Sequence, residues 1–247
     1  MAERAFRIWR GSAEGGEFRE YRTETAEGMV VLDAVHRIQA ESASDLAVRW
    51  NCKAGKCGSC SAEINGRPRL MCMTRLSDLP AGEPVRIEPM RAFPLVRDLV
   101  TDVSSNYAAK QRIRPFQPRP PDRPDGSWTM DQGDVDRVQE FRKCIECFLC
   151  QDVCHVLREH AMHQQFVGPR VLVHVAALEM HPLDEGDRIS ELRSEHGLGY
   201  CNITKCCTKV CPEGITITDN AIIPLKERVV DRYYDPLRAF MRLVGID

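Results

Sequence analysis

The 247-residue sequence has no apolar run approaching the ~18 residues that a bilayer-spanning helix requires. Its best candidate, Val171 to Leu178, is short and contains His174, so it reads as a buried helix. Any membrane association is therefore expected to run through a partner. Neither sign of charge is in excess: 34 Lys and Arg against 36 Asp and Glu leave a formal net charge of −2. Nucleic-acid binding would call for a basic face, so no nucleic-acid partner is expected. A targeting leader is missing from the opening residues as well. Ala5-Phe6-Arg7-Ile8-Trp9 already alternates like a strand, and Glu3, Glu14 and Glu17 are foreign to an acid-poor, Arg- and Ser-rich presequence. These absences favour a cytoplasmic, bacterial chain.

What the sequence does hold is cysteine, twelve in all. In a reducing compartment that number points to metal ligation rather than to disulfides. The cysteines form three groups, Cys52 to Cys72, Cys144 to Cys154 and Cys201 to Cys211. Between the first two lies a segment from Pro115 to Gly126 with five prolines in its first ten residues, which fits neither a helix interior nor a central strand. The expected organisation is a first domain over residues 1–106, an extended Pro-rich linker over 107–130 and a second domain over 131–247.

The first domain reads as α+β. Phe6–Trp9 and Phe18–Thr23 form a hairpin across Gly15-Gly16. Val31, Leu32, Val35 and Ile38 recur at helical spacing. Ser61–Ile64 and Arg67–Leu70 flank Asn65-Gly66, the dipeptide that type I′ hairpin turns prefer. Val85–Glu88 alternates as a further strand. After the linker, helical periodicity dominates through Val135-Val138-Phe141, Leu172-Val175-Ala176 and Ile222-Leu225-Val229. The polar stretch from Leu183 to Gly199 is expected to be a loop or a short helix.

Cys52, Cys57, Cys60 and the more distant Cys72 carry the plant-type C-x4-C-x2-C spacing of a [2Fe–2S] cluster. Gly55 and Gly58 suit a loop whose backbone N–H groups must approach bridging sulfides. Lys53 and Lys56 either offset cluster charge or are simply solvated. A structural zinc site is the competing reading, although zinc more often takes two separated C-x2–4-C knuckles. A Rieske centre needs two histidines, and none is near.

Cys144, Cys147, Cys150 and Cys154 spell the bacterial ferredoxin run C-x2-C-x2-C-x3-C. The third group fits the same frame: Cys201 takes the first position, Cys207 the third and Cys211 the fourth, with Thr204 at the second. In this pattern the fourth cysteine of each run serves the other run's cluster. One site then collects Cys144, Cys147, Cys150 and Cys211, enough for [4Fe–4S]. The other collects Cys154, Cys201 and Cys207, three thiolates, and is expected to hold [3Fe–4S]. Cys206 is left over. It reads as a packing cysteine, with a fourth thiolate for a second [4Fe–4S] as the competing role.

A plant-type [2Fe–2S] domain followed by two swapped ferredoxin runs resembles the iron–sulfur subunit of succinate dehydrogenase and fumarate reductase, and most of all the actinobacterial type. The resemblance is carried by Arg49 to Cys60, by Cys144 to Cys154 and by Cys201 to Gly214. It implies a β-grasp N-terminal domain docked on a flavoprotein subunit with covalent FAD, where succinate is oxidised. It further implies an all-α bacterial-ferredoxin-like domain resting on membrane-anchor subunits. On this resemblance the chain lies peripherally on the cytoplasmic face of the plasma membrane. Electrons would pass through [2Fe–2S], [4Fe–4S] and [3Fe–4S] to quinone, with no catalytic acid or base in this chain. Where ubiquinone-reducing members commonly have a proline and then a Trp pair, this sequence has His155-Val156-Leu157-Arg158. Asn202 stands where a His is usual. The departures favour menaquinone, with His155 and Asn202 near it. His160 and His163 read as solvated or packed residues, and Lys205 and Lys209 as a solvated face. A ferredoxin-like adaptor for another flavoenzyme or hydrogenase is the alternative.

Overall fold

Phe6 and Ile8 share one face of their strand, which lies inside the N-terminal sheet. The computed structural model describes residues 2–236. In chain order, β1 (Ala2–Ser12) and β2 (Gly15–Thr25) precede α1 (Val31–Glu41). A hairpin of β3 (Ser61–Ile64) and β4 (Arg67–Leu70) follows, then β5 (Val85–Glu88), β6 (Leu95–Arg97) and β7 (Val100–Thr101). The sheet runs β4-β3-β5-β1-β6-β7, with β2 also on β1. Antiparallel pairing joins β1 to β2 from Ala2↔Thr25 to Ser12↔Gly15, and parallel pairing joins β1 to β5. Phe6 and Ile8 are completely buried, each worth roughly 2 kcal/mol of burial. The first hairpin turns at Ala13-Glu14, not at Gly15-Gly16, and the reason is steric. Gly11 faces Gly16 in the ladder, and a Cβ on Gly11 would come 2.4 Å from the Gly15 carbonyl oxygen. Asn65 and Gly66 take φ of 49° and 73°, as a type I′ turn demands.

The rest is helical: α2 (Ser104–Gln111), α3 (Gln132–Gln139), α4 (Leu149–Asp152), α5 (His155–Arg158), α6 (Gly168–Glu179), α7 (Ile189–Ser194), α8 (Cys206–Lys209) and α9 (Ile223–Tyr233). A π-helical turn, Ile217–Ile222, leads into α9. The buried helix read from Val171 onward is α6, and α7 is the short helix in the Leu183–Gly199 stretch. Asn106 lies inside α2, buried, with its Oδ1 2.7 Å from Nε2 of Gln151 in α4. The Pro-rich segment is tied down along its length. Arg119 N–H donates to the Leu183 carbonyl, and the buried Arg188 guanidinium donates to the carbonyls of Arg114 and Pro115. Among the described residues, no helix is long and apolar enough to cross a membrane.

Sheet and helices meet over buried charge. Glu63 of β3 is completely buried and faces Arg158 of α5 (Nη1–Oε1 2.9 Å) and Arg91 (3.4 Å). Asp152, also fully buried, accepts the Ala92 N–H at 3.0 Å. Burial first, and then the neighbouring Glu63 charge, push the Asp152 carboxyl up to about 7. A raised carboxyl pKa stabilises the fold below the unfolded-state value near 4, and that contribution is lost as pH rises through about 7. Asp152→Asn keeps an oxygen acceptor for Ala92 and cannot ionise. Its melting temperature should therefore fall less between pH 5 and pH 8 than the parent's, by a stability difference of at most about 3 kcal/mol. Parallel pH dependences would contradict this origin.

Candidate iron–sulfur centres

A loop that wraps a cluster must turn its N–H groups inward, and residues 52–60 do so through left-handed backbone at Lys53, Gly55 and Gly58, with φ of 56°, 68° and 69°. Ala54 N–H and Lys56 N–H each lie 3.3 Å from Cys52 Sγ, and Cys52 N–H lies 3.4 Å from Cys57 Sγ. Across the loop, Cys72 N–H approaches Cys60 Sγ at 3.5 Å. Cys52 is exposed, whereas Cys60 and Cys72 are buried. Burial works to raise the Cys57 thiol, but the N–H groups of Cys52 and Ser59 outweigh it and bring it down to about 6. Burial instead pushes Cys60 up to about 12. Lys53 lies over the Trp50 ring at 4.7 Å. Lys56 reaches Glu213, beside the last ferredoxin cysteine, at 3.4 Å.

The two ferredoxin runs repeat in backbone as well as in spacing. Cys144 and Cys201 have ψ of 114° and 116°. Two residues on, Glu146 and Ile203 are left-handed. Two further, Phe148 (60°, 10°) and Lys205 (61°, 9°) are left-handed caps of α4 and α8. Agreement at three alternate positions over five residues puts Thr204 in the backbone position of Cys147. Left-handed non-glycine residues cost ~1–2 kcal/mol each, and such strain gathers where a site over-determines the chain.

Cys144, Cys147, Cys150 and Cys211 line one cavity, closed by Ile145, Phe148, Val173 and Ile217. Cys154, Cys201 and Cys207 line a second, with Thr204, His155, Asn202 and also Cys206. The fourth cysteine of each run thus faces the other run's cavity. Cys206 is half-exposed rather than a core residue. Burial pushes Cys147 up to about 12 and Cys154 up to about 11. For the fully buried Cys150, burial and then the charges of Cys147, Cys144 and Cys207 act in the same direction. Such thiols ionise only against metal charge. Among the described residues, no three His, Cys, Asp or Glu are placed to hold a single metal ion. The donor sets are spread around cavities, all sulfur, and so suit polynuclear iron–sulfur clusters rather than one zinc.

Asn202 Nδ2 donates to His155 Nε2 at 2.8 Å beside the second cavity, which leaves the ring proton on Nδ1. His160 and His163 do not line that cavity; His163 sits against Phe93 instead. Lys205 pairs with Asp219 at 2.6 Å.

Sequence reasoning missed the joint between the first two centres. A Cβ on Gly58 would lie 2.6 Å from Cys147 Cα, so the [2Fe–2S] loop touches a cysteine of the first ferredoxin run directly. The Ser61 hydroxyl stands 2.9 Å from the Gly58 carbonyl and 2.8 Å from that of Cys147, with one proton to donate between them. Gly58 was legible as a loop glycine, but its partner, 89 positions away, was not.

The fold and these thiol sets define an iron–sulfur electron carrier built from two ferredoxin-like halves. Comparison with known proteins agrees. Residues 5–108 match the 2Fe-2S iron-sulfur cluster binding domain family, and residues 140–215 match the 4Fe-4S dicluster domain family. The fumarate reductase iron-sulfur subunit of Mycobacterium tuberculosis is 34% identical over 202 residues, 80% of each chain. The succinate dehydrogenase iron-sulfur subunit of Paracoccus denitrificans is 29% identical over 235 residues, 93% of this chain and 89% of the relative. A chain in the structure of the Mycobacterium smegmatis Sdh1 complex in the apo form superposes with a TM-score of 0.91 at 61% identity, covering 95% of this chain and 98% of that one. The chain belongs to the succinate dehydrogenase and fumarate reductase iron–sulfur subunits, and its role is electron transfer within that oxidoreductase.

Gly58→Ala adds a methyl group at positive φ against Cys147. It should lower stability by about 2 kcal/mol or more and slow electron passage from the first centre to the second. Thermal denaturation and freeze-quench electron paramagnetic resonance check both; an unchanged transfer rate would contradict the contact's role.

Proposed function

We propose that eleven cysteines hold three clusters in series: [2Fe–2S] on Cys52, Cys57, Cys60 and Cys72, [4Fe–4S] on Cys144, Cys147, Cys150 and Cys211, and [3Fe–4S] on Cys154, Cys201 and Cys207. When bound, such clusters accept and release single electrons without any bond forming to substrate. What this chain supplies is placement. The Gly58–Cys147 contact sets the first centre against the second, and the exchange of Cys154 and Cys211 between the two ferredoxin cavities ties the second to the third. This unbroken cysteine-to-cysteine order is the observation that carries the reading.

We read the chain as a β-grasp domain over residues 1–106, a linker over 107–130 and an all-α domain over 131–247; the sheet supports the first and α3 to α9 the last, while α2 (Ser104–Gln111) runs across the first boundary. The exposed Cys52 lies in a loop beside Trp50 and Met73, which are 47% and 57% exposed, so this end suits docking on an FAD-containing flavoprotein. At the other end, Ile203 on the second cavity and Tyr200 next to Cys201 are exposed and suit membrane-anchor subunits on the cytoplasmic face of the membrane. Quinone, read as menaquinone, would bind there. His155 Nδ1–H, oriented by Asn202, is a proton donor beside the third cysteine set.

Isolation of the complex from membranes should yield a flavoprotein and apolar anchors with this chain, and succinate should reduce menaquinone. A stable lone monomer would oppose the reading. His155→Ala should cut quinone reduction roughly tenfold or more while leaving flavoprotein succinate oxidation with a soluble dye intact. Unchanged quinone reduction would remove His155 from the site.

A further inference from the structure

The second ferredoxin run holds one thiol more than its frame uses, and the fold places that thiol at the frame's deficient corner. Cys206 occupies the position that Leu149 fills in the first run, as the matched caps Lys205 and Phe148 establish. The equivalence stops at the side chain. Leu149 is buried and does not line the first cavity, whereas Cys206 lines the second together with Cys154, Cys201 and Cys207. Its Sγ lies 3.3 Å from Oγ1 of Thr204, the residue that replaces the second-position cysteine. A thiol is therefore within reach of the corner where a fourth ligand would bind. Cys206 also borders a separate depression between the β3–β4 hairpin and α8, lined by Met73, Arg69 and Lys209. One side of Cys206 thus faces the cluster cavity and the other a solvent-accessible groove. Leu149 borders the same depression but is buried and turned away from its cluster cavity, whereas Cys206 is half-exposed and lines both.

We infer that Cys206 is a facultative fourth ligand, which admits one ferrous ion to the third centre and converts it from [3Fe–4S] to [4Fe–4S]. The inference rests on the [3Fe–4S] assignment proposed above. The balance is simple. The reduced, neutral-core [3Fe–4S] accepts one Fe2+ to give a [4Fe–4S]2+ core, with no net electron exchanged. The new iron bonds to three core sulfides and to Cys206 Sγ, whose proton passes to water. Thr204 cannot take this place, because a neutral hydroxyl is a poor ligand for ferrous iron beside a soft thiolate. The required reactants are thus an electron, which the chain's own activity delivers, and free ferrous ion. The consequence is that iron supply can change the type, and with it the potential, of the last centre.

The test uses the assembled complex, reduced anaerobically with excess isotopically labelled ferrous ion, desalted and mildly reoxidised. The parent should lose its [3Fe–4S] paramagnetic signal and show labelled iron in a four-iron environment by Mössbauer spectroscopy. Cys206→Ser should keep the three-iron signal and take up no label into a cluster. A parent that keeps its signal overturns the inference, and so does a Cys206→Ser variant that converts as readily as the parent. The untreated variant must show the three-iron signal at parental strength; its loss would make Cys206 necessary to the resident cluster and overturn the facultative role. Absence of that signal from the untreated parent is visible before iron is added, and it overturns the underlying [3Fe–4S] assignment separately.

Discussion

The approach of Gly58 to the backbone of Cys147 is the constraint on which the rest of the molecule depends. It brings the loop of one ferredoxin-like half against the cysteine run of the other with no side chain between them. Any residue with a Cβ would separate the halves and lengthen the gap between their centres. Around the contact, stronger interactions hold the geometry. Ser61 spans the two carbonyls, Lys56 pairs with Glu213 beside Cys211, and Glu63 meets Arg158 just after Cys154. Each joins a residue near one cysteine set to a residue near another. Buried ion pairs add little net stability, but breaking one strands a charge and is costly, so such pairs specify one arrangement rather than strengthen all.

The electrostatics of the thiols follow from the same burial. Cys60, Cys147 and Cys154 are held protonated by their surroundings, with values from about 11 to about 12. Iron must displace those protons, so metal binding and folding are coupled. Cys57 is the exception. Its N–H donors bring it down to about 6, so its thiolate is available before metal arrives. At Cys57 the N–H donors outweigh burial, whereas at Cys60, Cys147 and Cys154 burial outweighs the N–H groups that also reach them. The difference follows exposure: Cys57 is half-buried and the other three are buried.

Much of this was legible in the sequence, because cluster ligation is written in short spacings. The Ser61–Leu70 hairpin, α1 and α6 could be read from local periodicity, and the exchange of Cys154 and Cys211 from the ferredoxin frame. Features that depend on distant partners could not. Gly15-Gly16 looked like a turn because glycine favours turns, but the ladder needed Gly16 opposite Gly11. Asp152 gave no signal of its perturbed carboxyl, because that depends on its burial and then on Glu63 from another element. Cys206 looked like a core cysteine because its exposure is set by how α8 is capped, through the left-handed Lys205.

The central claim, that three unlike clusters sit in three cysteine sets, is tested most directly by Mössbauer spectroscopy on the uniformly iron-labelled, air-oxidised complex. The account predicts three components whose areas stand as two, four and three irons. Components of two, four and four irons in the untreated protein, or a component typical of mononuclear iron, would contradict it.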